Sequence, residues 1–130
     1  MPHFSERSLK HLNTCDERLR RVMHRVVEEF DCAIIDGHRE EKTQNDYHRS
    51  GVSQLNWPDS KHNEVPSRAV DVVPYPVDWH DREQMSFFAG YVLGMARSMG
   101  INIRWGGDWN KNWRVSDNKF DDLVHFELED

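Results

Sequence analysis

The run Ala69-Val70-Asp71-Val72-Val73 sets the hardest condition on any fold for this chain. Its β-branched residues mark a short strand bound for the interior, and a carboxylate in the middle of such a strand needs a cation or several donors to offset its desolvation. Two-residue alternation offers a second outcome, in which Asp71 simply faces solvent. Nine positions earlier stands His62, closing Ser60-Lys61-His62, with the polar, proline-containing loop Asn63 to Arg68 in between. Near the other end, Asp122-Leu123-Val124-His125-Phe126-Glu127-Leu128 sets a second imidazole in another short apolar run. A single loop histidine is more often a surface residue than a ligand. Two imidazoles and one carboxylate from separate segments, however, are the donor set of a catalytic zinc ion that keeps its fourth position for water. Asp122, three residues before His125, is placed to act as a general base beside such an ion.

The rest of the chain reads as a scaffold for these segments. Leu19, Val22, Met23, Val26, Val27 and Phe30 recur at helical spacing, and Thr14 with Glu17 three residues on has the form of a capping box, predicting an amphipathic helix over about Asp16 to Phe30. A shorter helix is expected over Ser5 to Leu12, with residues 1–14 as a peripheral segment. Cys32-Ala33-Ile34-Ile35 reads as a buried strand broken by Asp36-Gly37, followed by a loop carrying Arg39 and a helix over about Glu40 to Arg49. After the Ala69 to Val73 strand, Pro74 and Pro76 prevent regular pairing. Asp81 is a natural N-cap for a helix reaching about Ser98, whose apolar face is Met85, Phe88, Ala89, Val92, Ala96 and Met99 and whose stop is Gly100. Ile101 to Trp105 and Val124 to Leu128 are the last two strands, separated by a Trp- and Asn-rich loop over Asp108 to Lys119 with Trp109 and Trp113. Helices and short strands that do not alternate as βαβ units predict an α+β fold: one domain over residues 1–130, with a small, mainly antiparallel sheet packed with two or three helices.

Composition narrows the function. With 130 residues the chain is long enough for one core, burying roughly two-thirds of its unfolded surface. A net charge of -6 with interspersed Lys and Arg lacks the clustered positive charge that tracks phosphates, so no nucleic-acid partner is expected. No apolar run approaches the roughly 18 residues of a membrane span, so no membrane insertion is expected either. Met1 to Leu12 is polar and has no apolar signal-peptide core, which predicts synthesis in the cytoplasm. Cys15 and Cys32 read as reduced thiols.

In order and spacing, Gly37-His38-Arg39, Gln44, Tyr47, Gly51, Ser53, Ser60-x-His62, Ala69-x-Asp71, Trp105-Gly106-Gly107-Asp108-Trp109 and Asp122-x-x-His125-Phe126-Glu127 resemble one known group. This is the zinc D-alanyl-D-alanine carboxypeptidase and L-alanyl-D-glutamate endopeptidase family, and in particular its compact bacteriophage endolysins. The resemblance covers the chain from Asp16 onward and implies the D-Ala-D-Ala peptidase (hedgehog-like) fold. It implies a Zn2+ ion held by His62, Asp71 and His125, with Asp122 as the base and Arg39 steadying the carbonyl oxygen as it gains charge. It implies substrate contacts from Ser60, and Trp109 and Trp113 are expected to border the cleft. The implied substrate is the peptidoglycan stem peptide, cut by a monomeric phage or prophage lysis enzyme made in the host cytoplasm and acting on the wall after release. A D,D-carboxypeptidase or dipeptidase on the same scaffold, or a non-catalytic phage structural or wall-binding protein, is the alternative. Two departures stand out: Glu64-Val65-Pro66 lengthen the loop between His62 and Asp71, with Ser67 where the family has a glycine, and Val124 replaces a proline before the last histidine. The longer loop is expected to bulge outward.

Overall fold

The computed structural model describes residues 2–117 and 120–129; Asn118 and Lys119, the end of the expected Asp108 to Lys119 loop, lie outside the described residues. The elements in chain order are α1 (Glu6–Leu12), α2 (Glu17–Glu29), β1 (Cys32–Asp36), α3 (Glu41–Arg49), a 3-10 turn (Lys61–Asn63), β2 (Ala69–Pro74), α4 (Arg82–Ser98), β3 (Ile103–Gly106) and β4 (Asp122–Leu128). The four strands form one antiparallel sheet in the order β1-β2-β4-β3. This is the α+β architecture expected from the sequence, with the helices packed on a small sheet.

The core follows from the periodicities. On α2 the buried stripe is Leu19, Val22, Met23, Val26 and Val27; on α4 it is Met85, Phe88, Ala89, Val92 and Ala96. The two helices pack against each other, and α4 lies across β2, β3 and β4. The sheet answers with alternate residues, Val70 and Val72 on β2 and Phe126 and Leu128 on β4. Phe88 sits at the centre, 5.0 Å from the Phe30 ring and 6.2 Å from that of Phe126. Asp81 caps α4 as expected, accepting from the Gln84 N–H at 3.0 Å. Cys15 and Cys32 are free buried thiols, both pushed up to about 12 by burial. No helix of the described residues is long and apolar enough to cross a membrane.

Three expectations need correction. The expected peripheral segment, residues 1–14, is not peripheral where it is described, from residue 2 on: Phe4 and Leu12 are buried, α1 packs on β1, and the Ser8 hydroxyl accepts the Ile34 N–H at 3.1 Å. β1 is an edge strand, and α1 is what covers it. The cap of α2 is Asp16, which accepts from the Arg18 N–H, not Thr14. Thr14 is drawn away by a longer-range demand, its hydroxyl accepting the His38 N–H at 2.9 Å and donating to the His11 carbonyl at 2.7 Å. Finally, β4 begins two residues early, so Asp122 belongs to the strand and not to a preceding turn.

The loop between the 3-10 turn and β2 does bulge outward, with Glu64, Val65 and Pro66 all exposed. Ser67, at its inner end, is fully buried and bonded through both backbone groups, its N–H to Thr14 and its carbonyl to Asp16. It is not among the residues with positive φ, so nothing at this position demands glycine.

Truncating Phe88 to Ala is expected to cost about 3–5 kcal/mol of unfolding free energy in a urea titration, through lost burial and a cavity. Its neighbour Phe87, 72% exposed, is expected to cost about 1 kcal/mol or less on the same change. Equal losses at the two positions would contradict this placement of the core.

Candidate active site

The sheet register assembles the site. Asp71 on β2 pairs with His125 on β4 on one side and with Asp36 on β1 on the other. Each pairing has a device behind it. In β1 the register slips between Ile34 and Asp36, an extra residue that brings Asp36 opposite Asp71 where simple pairing would bring Ile35. In β4, Trp105 faces Phe126 but Gly106 faces Asp122, so Leu123 to His125 bulge and Asp122 and His125 line the same cleft despite their three-residue spacing. Gly106 permits this approach, since a Cβ there would lie 2.2 Å from the Asp122 carbonyl oxygen.

His62 arrives on the 3-10 turn. Ser60 caps that turn, its hydroxyl accepting the His62 N–H at 3.2 Å, and Asn63 returns the bond to the Ser60 N–H at 3.1 Å. The ring is then oriented from behind. His62 Nδ1 lies 2.6 Å from the Gly37 carbonyl oxygen, an acceptor, so Nδ1 carries the hydrogen and Nε2 presents its lone pair. Gly37 is required at that spot, because a Cβ would sit 2.4 Å from both the His11 carbonyl oxygen and the Thr14 hydroxyl. His125 is oriented in the opposite sense: its Nε2 meets Glu127 Oε1 at 2.8 Å, so Nδ1 is the free nitrogen.

The three donors converge. His62 Nε2 is 3.1 Å from Asp71 Oδ1 and 3.2 Å from His125 Nδ1, and the third side of the triangle, His125 Nδ1 to Asp71 Oδ1, is 3.3 Å. All three residues are buried, and among the described residues they form a cluster able to hold a metal ion. The triangle has the size of one face of a tetrahedron whose corners lie about 2.0–2.1 Å from its centre, for which the edge is about 3.3 Å. Asp71 is therefore not turned to solvent, and the donor set expected from the sequence is brought together.

Electrostatics match this geometry. Burial would raise the Asp71 carboxyl, but the neighbouring His62 and His125 rings hold it well below its usual range. Burial likewise opposes charge on His125, yet the carboxylates of Asp71 and Glu127 beside it outweigh that and raise its pKa to about 9. The cluster is built to accept positive charge. Glu127 resists burial in the same way, held down to about 2 by His125 and Arg104. Asp122 moves in the other direction. Burial and the charge of Asp71 push its carboxyl up, only partly offset by His125, His62 and Arg39.

Arg39 is buried and more heavily engaged than the sequence suggested. Its Nε is 2.5 Å from Asp36 Oδ2, Nη2 is 2.8 Å from Asp71 Oδ2, and Nη1 reaches Gln44 Oε1 at 3.3 Å, while the Tyr47 ring lies 4.8 Å below. The guanidinium thus holds the oxygen of Asp71 that faces away from the histidines. Gln44, fully buried, ties this centre to the next loop by donating to Ser53 Oγ at 2.9 Å and to the Leu55 carbonyl at 2.7 Å.

These groups open into a cleft of about 520 Å³ between the loop at 52–60 and the segment from Trp109 to Asp122. Arg39, Ser60, His62, Trp109, Asp122 and His125 all line it. Trp109 lies 5.5 Å from the His125 ring and donates its indole N–H to the Phe120 carbonyl at 2.7 Å. Trp113 does not border the cleft. It is 77% exposed beside Leu93, Arg97 and Ile101, and its backbone N–H is held by Asp108.

Sequence reasoning assigned no role to Glu127, Asp36 or Gln44. The signal for Glu127 was available, since it stands two residues beyond His125 and so on the same face of a strand. Asp36 depends on a register slip that no local pattern announces.

Three similarities bear on what this arrangement belongs to. The profile of the phage L-alanyl-D-glutamate peptidases matches residues 1–129. The L-alanyl-D-glutamate peptidase of Escherichia phage T5 is 30% identical over 112 residues, or 82% of this chain and 81% of that protein. The crystal structure of the Serratia marcescens L-Ala D-Glu endopeptidase ChiX superposes with a TM-score of 0.76 at 28% identity, over 98% of this chain and 91% of that one. With a family match that runs through α1 and all four strands, and a buried His-Asp-His cluster at the floor of an open cleft, the chain belongs to the phage L-alanyl-D-glutamate peptidase family of hydrolytic enzymes.

Proposed function

We propose that this protein is a zinc-dependent endopeptidase that hydrolyses the L-alanyl-D-glutamyl bond of the peptidoglycan stem peptide. Its setting is phage or prophage lysis, with synthesis in the host cytoplasm, action on the wall after release, and no partner subunit needed. The observation that carries the reading is the convergence of His62 Nε2, Asp71 Oδ1 and His125 Nδ1 in the same cleft as Asp122 and Arg39. Neutral imidazole and carboxylate donors at tetrahedral spacing favour zinc over ions that prefer six oxygens. Zinc held there supplies Lewis acidity, making a water acidic near neutral pH and polarising a carbonyl.

The residues of the chain divide the remaining work. Asp122, a carboxylate of raised proton affinity, takes a proton from the attacking water and passes it to the amine nitrogen as the C–N bond breaks. The water oxygen stays on the alanyl carboxylate and the proton leaves with the glutamyl amine. Arg39, permanently charged, keeps N–H groups beyond those given to Asp36, Gln44 and Asp71, and opposes the negative charge that develops on the carbonyl oxygen. The Ser60 hydroxyl, which accepts from the His62 N–H, retains its own hydrogen for substrate. Trp109 forms the wall next to His125. Retention of Asp122 and Arg39 beside the cluster supports catalysis over a wall-binding role.

Purified protein is expected to clear suspensions of outer-membrane-permeabilised cell walls, to stop when chelated, and to resume when zinc is restored. Asp122→Asn is expected to keep one zinc per chain but to lose about 100- to 10,000-fold in rate. Mass analysis of the released peptides identifies the bond. Clearing that survives chelation, or survives the loss of Asp122, would overturn the mechanism. Glu127→Gln removes the carboxylate that orients His125, and zinc affinity in a competition titration with a chromophoric chelator is expected to fall about 10- to 100-fold. Unchanged affinity would mean that Glu127 does not serve the ligand.

A further inference from the structure

We propose that Lys61 and Arg104 form a subsite for the free carboxylate of the substrate's D-glutamyl residue. The inference rests on the endopeptidase reading above and names a group that such an enzyme has to hold. Glutamate carries two carboxyl groups. Whichever of them continues the peptide, the other remains an anion a few bonds from the scissile nitrogen, and it enters the cleft without penalty only if donors or cations meet it there.

Such a place exists one step from the reacting centre. Lys61, on the 3-10 turn, and Arg104, on β3, converge on the same oxygen of Glu127: Lys61 Nζ is 3.2 Å and Arg104 Nη2 is 2.8 Å from Oε2. The second oxygen of Glu127 is taken by His125. One carboxylate therefore serves two cations. The next acid, Glu129, is 4.0 Å from Arg104 Nε, and its charge is matched by Lys111 at 2.5 Å. Among the described residues, three cations, Lys61, Arg104 and Lys111, share two carboxylates here, those of Glu127 and Glu129.

It also holds unused donors. Arg104 Nε is buried on the Glu129 side, but Nη1 carries two hydrogens and among the described residues reaches only the Trp109 carbonyl at 3.5 Å. A donor so weakly engaged at the edge of a cleft is free to meet a ligand oxygen. Lys61 gives one hydrogen to the Leu128 carbonyl and one to Glu127, which leaves its third. Arg104 lies 5.3 Å over the Trp109 ring, so its guanidinium plane is fixed as well as charged.

Position agrees with charge. Lys61, Arg104 and Glu127 line the same cleft as Asp122 and His125. Glu127 follows His125 by two residues on one face of β4, a separation of about 7 Å along the strand and close to the length of one glutamyl residue. Asp59 and Asp117 also line the cleft, and their charge leaves the Lys61 and Arg104 corner as the place where an anion is favoured.

The test compares two synthetic peptides that share the L-alanyl-D-glutamyl bond and differ only in whether the free glutamyl carboxyl is an acid or a primary amide. The wild-type enzyme is expected to cleave the acid with kcat/KM about 10- to 100-fold above the amide, the worth of a charge-assisted hydrogen-bonded contact. Lys61→Gln and Arg104→Gln are each expected to bring that ratio close to one, with zinc content measured alongside, and Arg104→Lys to restore part of it. Equal cleavage of both peptides by the wild type, or variants that slow both in parallel with the ratio intact, would overturn the subsite while leaving the endopeptidase reading standing. Cleavage of neither peptide by zinc-loaded wild type would remove that reading, and the subsite with it. A wild-type ratio of one overturns the subsite even where a variant fails to fold, and Arg104→Lys keeps the assignment testable where Arg104→Gln does not fold.

Discussion

Asp71 is the residue the structure has to accommodate before anything else. Its strand is buried along its whole length, and a carboxylate in that position is tolerated only if both oxygens are met by positive or hydrogen-bonding groups. The fold meets that demand from two sides. Oδ2 goes to Arg39, which is itself pinned by Asp36 and Gln44, and Oδ1 goes to the two imidazoles. Removing any one partner leaves a buried charge short of compensation. That is why residues as distant in sequence as Asp36, His62 and His125 have to arrive at one point, and why the sheet order β1-β2-β4 puts β2 in the middle.

The same demand explains where the backbone departs from regularity. The slip in β1 brings Asp36 to the level of Asp71, and the bulge in β4 turns Asp122 toward the cleft occupied by His125. Gly37 and Gly106 stand at the two closest backbone approaches of this region, one letting a carbonyl reach the His62 ring and the other letting β4 start against β3. Bulges and close-packed glycines weaken a strand in isolation. Here they convert a simple antiparallel ladder into a support for the side chains that meet at the cleft.

Local pattern was enough to read the helices, the approximate strands and the oddity of Asp71, because those rest on periodicity and on the rarity of a carboxylate in an apolar run; His62 and His125 stood out only as members of a joint donor set and through the family resemblance. It failed where a long-range partner outbid a local one. Thr14 and Glu17 have the spacing of a capping box, yet the Thr14 hydroxyl serves His38 across 24 residues and Asp16 takes the cap. The first fourteen residues look dispensable until the exposed edge of β1 is known. Trp113 resembles Trp109 in composition and neighbourhood, but Asp108 holds the Asn112 and Trp113 N–H groups and turns that stretch away from the cleft. The engagement of Arg39 with Asp71 was equally hidden, because its reach depends on the β1 slip.

Alternation along β4 links the stability of the domain to its chemistry. Phe126 and Leu128 enter the core while His125 and Glu127, between them, face the cleft, so a change in register that exposed the first pair would also withdraw the second. From Glu127 the chain of contacts continues outward to Lys61 and Arg104, and through Arg104 to the Trp109 ring. The cleft wall, the orienting carboxylate and the His125 imidazole are therefore successive members of one hydrogen-bonded and stacked series built on a strand whose other face is packed solid. A site on such a strand gains its rigidity from the core behind it, and the loops at 52–60 and beyond Trp109 are left to shape the cleft without carrying the donors.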